Sequence, residues 1–287
     1  SISGVISDKD GSHTASLTKA GAGSLTLSNA NTYSGGTTIN AGTLVLPSSG
    51  ALGPTSSTLT IAGGVLDLQR SLTVGSLSMS GVGASIISTT GTSSLTVSGT
   101  STLTGSITTS GTQTYTGAVT LGGDTTLTTT NSLVSFGSTV DGTHALSISS
   151  GTGGVTFSGA VGATALGAVT LTTSGLTTLS GSFIASSLSV GGTVALNGGS
   201  VTTTGTQLYS GAATVATNNL TLTGSTVTLG STLNGGGKSL TITGNAVFDG
   251  VVSNVSSVSV SGTTTIATSG ITTSGTQTYT GAATLSV

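Results

Sequence analysis

The chain has no cysteine and no glutamate, and only ten of its 287 residues carry a formal charge. Without cysteine there are neither disulfides nor thiolate metal ligands. Six scattered aspartates and no glutamate weigh against clustered carboxylates of the kind that move protons or hold metal ions. Lys9, Lys19, Arg70 and Lys238 leave a net charge of −2, which is no basic footprint, so nucleic acid is not an expected partner. Long apolar runs are missing too. Nothing approaches the roughly 18 uninterrupted apolar residues of a spanning helix, so no such membrane span is expected in this chain. Ordinary disorder takes high net charge and few β-branched residues, and neither condition is met. No basic-then-apolar leader opens the chain at Ser1-Ile2-Ser3-Gly4.

What remains is Ser, Thr, Gly and short apolar residues. Apolar-polar-apolar triplets recur throughout, as in Leu25-Thr-Leu27, Leu44-Val-Leu46, Leu72-Thr-Val74, Leu95-Thr-Val97, Val169-Thr-Leu171 and Leu240-Thr-Ile242. Period-two alternation puts Leu, Val and Ile on one face of a strand and Thr or Ser on the other. Gly, Asn, Asp and Ser bound each triplet, residues that accept the backbone of tight turns. The chain reads as all-β.

Four tyrosines are all the chain has, and each opens the phrase Tyr-(Ser/Thr)-Gly, at Tyr33, Tyr115, Tyr209 and Tyr279. The last three end a longer run, Thr-Thr-(Ser/Thr)-Gly-Thr-Gln-x-Tyr, which contains Gln113, Gln207 and Gln277. A rare residue confined to one context marks a repeat. The runs start at Thr108, Thr202 and Thr272, intervals that fit four and three units of about 23 residues. The expected fold is a right-handed parallel β-helix, a β-solenoid with coils of roughly 20–29 residues and about three strands per coil. It would run as one continuous solenoid over 1–287, with homologous multi-coil blocks at 108–201 and 202–271 and a further block starting at 272–287. About twelve coils would make a rod on the order of 60 Å long. The repeated context assigns the tyrosines to coil corners, with the ring over the core end and the hydroxyl reaching solvent or backbone. An exposed platform for sugar rings is their functional alternative.

Residues 1–53 contain Leu17-Thr-Lys-Ala-Gly-Ala-Gly-Ser-Leu-Thr-Leu-Ser28 and Asn31-Thr-Tyr-Ser-Gly-Gly-Thr-Thr-Ile-Asn-Ala-Gly-Thr-Leu-Val-Leu46. This stretch resembles the passenger-associated repeat of bacterial autotransporters. The later blocks, with Gly-Thr-Gln-Thr-Tyr-Thr-Gly-Ala-Val-Thr-Leu and Val140-Asp-Gly-Thr-His-Ala-Leu146, are similar to repeats of filamentous-haemagglutinin-type surface proteins. The resemblance implies a β-helical stalk or adhesin at the bacterial cell surface or outside the cell. The last block stops inside a repeat, so the chain is expected to be a segment of something longer or a processed product.

No catalytic, metal or cofactor site is expected. Asp124, Asp141 and Asp249 lie beside Gly, where turn formation accounts for them. Asp67 and Arg70 are spaced to pair, and Asp8, Asp10 and His13 read as a solvated loop. His144 follows Asp-Gly-Thr in a turn. Gly237-Lys238-Ser239 ends like a phosphate loop but has Thr232 where the first glycine belongs. The leading expectation is therefore a non-enzymatic extracellular structural protein, self-associating through its solenoid ends. A specific adhesin for glycans or other cell surfaces comes second, and a polysaccharide-degrading β-helix third.

Overall fold

Alternation at this scale builds strands and nothing else. The computed structural model describes residues 1–216 and 218–286, and no helix occurs among them. The strands pair in parallel and stack as about 13 coils, a β-solenoid. The chain divides into two compact units, Ser1–Ser138 and Thr139–Val287.

In the first unit three ladders of strands line the core. One carries Leu25, Leu44, Leu66, Ile86, Ile107 and Leu127 in register. A second carries Leu17, Thr37, Leu59, Leu77, Ser101 and Val119, and the third Leu72, Leu95, Gln113 and Val134. In many of the short strands the first and third side chains point inward, as at Leu72–Val74 and Gln113–Tyr115. The middle residues point out and make a ladder of their own: Thr18, Thr38, Thr60, Ser78, Thr102, Thr120. Like residues stacked at one strand spacing would repel if they were charged; hydroxyls do not. Each apolar side chain taken fully inside contributes about 1.5–3 kcal/mol before entropy is counted.

The second unit repeats the plan. Its ladders run Leu146, Val169, Leu188, Gln207, Val227, Ala246, Thr264, Ala283; Val155, Thr177, Val194, Ala213, Leu233, Val252, Ile271; and Val161, Phe183, Val201, Leu222, Ile242, Val260, Tyr279. Partners across coils lie between 17 residues apart (Thr177 and Val194) and 24 apart (Leu77 and Ser101). The coils therefore sit at the short end of the expected length and partly below it. The whole-number reading of the 70-residue interval fails for this reason. Three coils carry the ladder from Gln207 only to Thr264, and the remaining residues bring Gln277 onto a different face, in register with Val258.

The core also holds hydroxyls at inward positions of the alternation. Ser101, Thr177 and Thr264 are buried, and their Oγ atoms have no hydrogen-bond partner. Thr177 lies between Val155 and Val194 with no exposure at all. A buried hydroxyl without a partner costs about 1–3 kcal/mol relative to one left in water. Thr177→Val keeps the shape and removes the orphan. It is expected to raise stability by about 1 kcal/mol, read as a higher denaturant midpoint; a lower midpoint would mean that the hydroxyl is bonded.

Candidate functional site

The repeated run builds a corner, the same in each copy. Its second threonine donates a hydroxyl hydrogen bond to the carbonyl two residues on: Thr109 to Gly111 (2.8 Å), Thr203 to Gly205 (2.9 Å) and Thr273 to Gly275 (2.8 Å). The amides of those glycines donate to the preceding coil, at Ser93, Ser186 and Ser256. Gln113 and Gln207 then turn inward and are fully buried. Gln113 Nε2 donates to the carbonyls of Ile107 (3.1 Å) and Thr128 (2.9 Å) and lies 3.2 Å from Thr109 Oγ1. Gln207 Nε2 likewise reaches Val201 O (3.1 Å), Thr223 O (2.8 Å) and Thr203 Oγ1 (3.4 Å). One amide thus ties its own corner to the coil that follows.

The tyrosine hydroxyl closes the arrangement. Tyr115 donates to Gln113 Oε1 (3.1 Å), Tyr209 to Gln207 Oε1 (2.9 Å) and Tyr279 to Gln277 Oε1 (2.9 Å). Burial pushes the Tyr115 and Tyr209 phenols well above the usual tyrosine range, which keeps them protonated as donors. The hydroxyls were expected at solvent or backbone; they meet a side-chain amide instead, because the rings of Tyr115 and Tyr209 lie wholly inside. Buried rings offer no platform for a sugar, and Tyr115 stacks on Phe136 with centroids 5.3 Å apart. The glycine of the Tyr-(Ser/Thr)-Gly phrase has a direct cause. A Cβ at Gly117, Gly211 or Gly281 would run into the carbonyl of Gly99, Gly192 or Gly262 in the preceding coil.

Tyr33 belongs to a related corner without glutamine. Its hydroxyl lies 2.6 Å from Thr37 Oγ1, and two residues before it the buried Asn31 takes the bridging role. Asn31 accepts from the Ile6 amide (2.9 Å) and donates to the carbonyls of Asn29 (3.1 Å) and Ala51 (2.9 Å). Sequence reasoning missed Asn31, although an amide two residues before a tyrosine is the signal it shares with the glutamines. Lys19 was missed as well. It is buried, and its Nζ donates to the carbonyls of Ala20 (3.2 Å), Gly21 (2.6 Å) and Ala41 (2.9 Å).

Four of the six aspartates hold turns or bridge coils. The Asp8 carboxylate accepts from the amides of Ala15 (2.7 Å) and Ser34 (3.0 Å), and these bonds, Ala15 first, hold its carboxyl below the usual range. Asp10 is held down chiefly by His13 Nδ1 at 2.7 Å and then by Ser12. Asp67 does not pair with Arg70. It is buried and accepts from Gln69 Nε2 (2.8 Å), Thr89 Oγ1 (2.7 Å) and the Thr89 amide (3.1 Å), whereas Arg70 donates to the carbonyls of Gly50 and Ser71. Asp141 accepts from the amides of Gly142 (2.9 Å) and Thr164 (2.6 Å). Asp124 and Asp249 are exposed, and His144 is half-buried. Among the described residues, no three acidic or histidine side chains converge as metal ligands.

Residues 17–46 match the family model of the passenger-associated-transport-repeat. The match spans the strands from Leu17–Lys19 to Thr43–Leu46 and includes Lys19, Asn31, Tyr33 and Gly42. No curated protein and no solved structure matches the chain.

Proposed function

We propose that this chain, which combines a passenger-associated-transport-repeat with a β-solenoid of the autotransporter-passenger type, is a stretch of a bacterial surface stalk whose work is mechanical. The observation that carries the reading is the use made of its chemistry-bearing side chains. The amides of Asn31, Gln113 and Gln207, the ammonium of Lys19 and the carboxylates of Asp8, Asp67 and Asp141 are all bonded into turns or between coils. Such a protein supplies reach, stiffness and display. Self-association belongs to the same reading, since a coil edge that no further coil covers carries backbone groups open to pairing with another copy.

The test is antibody labelling of intact cells, followed by electron microscopy of the protein released from its native source without refolding. Surface labelling with discrete slender particles supports the stalk; fibres with an axial repeat make it a filament subunit. Labelling only after cell lysis overturns both. A second reading, an adhesin for neutral glycans, draws on the outward hydroxyl ladder from Thr18 to Thr120.

A further inference from the structure

The chain has two prolines and one arginine, and all three meet at one place in the first unit. Between strands Thr43–Leu46 and Thr58–Ile61 the corner runs from Pro47 to Ser57, interrupted only by the two-residue strand Ala51–Leu52. Two turns shape it. The Gly50 amide donates to the Pro47 carbonyl (2.9 Å) and the Ser57 amide to that of Pro54 (3.0 Å). The fixed φ of a proline at the head of each turn leaves this long corner few alternatives to its shape. One coil on, Arg70 stands between strands Val65–Leu68 and Leu72–Val74 and reaches back to the corner. Its Nη1 donates to the Gly50 carbonyl and its Nε to that of Ser71 (3.2 Å).

Both partners are neutral carbonyls, so they orient the guanidinium without cancelling its charge. Of its five N–H donors these two bonds leave three, on Nη1 and Nη2. Among the described residues no carboxylate stands within ion-pair distance, because Asp67 is taken up by Gln69 and Thr89. The half-buried Arg70 lines a pocket of about 130 Å³ together with Thr55, Ser71, Thr73 and Gly53, and no acidic side chain lines it. Against Gly53 lies a second group without a partner. The buried Ser57 hydroxyl has no hydrogen bond, and a Cβ at Gly53 would stand 3.5 Å from it. The volume is well below that of sites enclosing a whole drug-sized ligand, and suits a single charged group. A guanidinium fork matches the paired oxygens of a carboxylate or phosphate, and the threonine and serine hydroxyls can donate to the oxygens it leaves. We infer that the pocket between Arg70 and the Pro47 to Ser57 corner is a binding subsite for one oxyanion group, a carboxylate or a phosphate. The inference is independent of the stalk reading, which stands whether or not the pocket binds.

Titration of the isotope-labelled whole chain at constant ionic strength, followed by NMR, decides the matter. The probes are methyl glucuronide for a carboxylate, inorganic phosphate for a phosphate, and methyl glucoside as the neutral control. Saturable shifts of the Arg70 Nε–H and of the Thr55 and Ser71 amides are expected with at least one anion, and none with the glucoside. Whichever anion binds more tightly identifies the source of the group. Arg70→Gln is expected to lower the affinity about tenfold or more, the worth of a charge-assisted hydrogen bond. Lys9→Gln, at an exposed lysine elsewhere in the unit, leaves it unchanged. Thr55→Val, at an exposed position, is expected to weaken binding several-fold and decides the case if Arg70→Gln misfolds. No saturable shift with either anion, the same shifts with chloride alone, or undiminished affinity in folded Arg70→Gln overturns the assignment.

Discussion

Gln207→Ala is expected to destabilise the second unit by about 3–5 kcal/mol, since each buried group left unbonded costs about 1–3 kcal/mol. The substitution removes the donor to the buried carbonyl of Val201 and the half-buried one of Thr223, and the acceptor for the buried Tyr209 hydroxyl. It also leaves a cavity beside the ring. Solenoid coils touch only their neighbours, so the loss should be local: amide exchange should accelerate from Val201 to Thr223 and spread outward with falling amplitude. Pairing the change with Tyr209→Phe removes the stranded hydroxyl and should recover about 1 kcal/mol of the loss. A single-variant cost under about 1 kcal/mol, outside the range for stranded buried groups, would show that water enters and replaces the amide.

Gly42→Ala is expected to cost about 2–4 kcal/mol, combining the penalty for a left-handed backbone with a steric one. Gly42 has φ 68°, and a Cβ there would lie 2.5 Å from the Gly21 carbonyl oxygen and 2.7 Å from Lys19 Nζ. These are the atoms of the carbonyl cage around the buried ammonium, so the substitution forces the cage open and not merely the turn. Gly11→Ala, where a Cβ meets nothing within 4 Å, is the control and should change stability little. Thermal melts of the two variants against the unsubstituted chain give the comparison. Equal melting of Gly42→Ala and Gly11→Ala would mean that the cage relaxes without cost.

The strands were legible because their signal is local. Triplets such as Leu72-Thr-Val74 and Leu95-Thr-Val97 announce an inward and an outward face by themselves, and both faces are found where the alternation puts them. The matched repeat was legible from the Asn31 to Leu46 phrase. What stayed hidden depends on neighbours in the next coil of the chain. The repeat singles out Gln113 but not its partner, the Thr128 carbonyl 15 residues on. Thr177 is placed inward by alternation with Leu179, but that its hydroxyl finds no partner follows only from its register between Val155 and Val194. The interval between motifs misled for a geometric reason. Seventy residues divide as well into three long coils as into three short coils plus most of another, and only the pairing of Gln277 with Val258 separates the two.

That pairing makes each copied block a screw step. In the second unit, passing from Gln207 to Gln277 climbs the stack and also turns the motif to another of the three sides. A block of this length, gained or lost, would therefore re-aim whatever follows it by roughly a third of a revolution, as well as changing its height, because stacked units transmit their rotation to everything beyond. Copy number would then act as a compass setting: two forms differing by one block would present the same side chains in different directions.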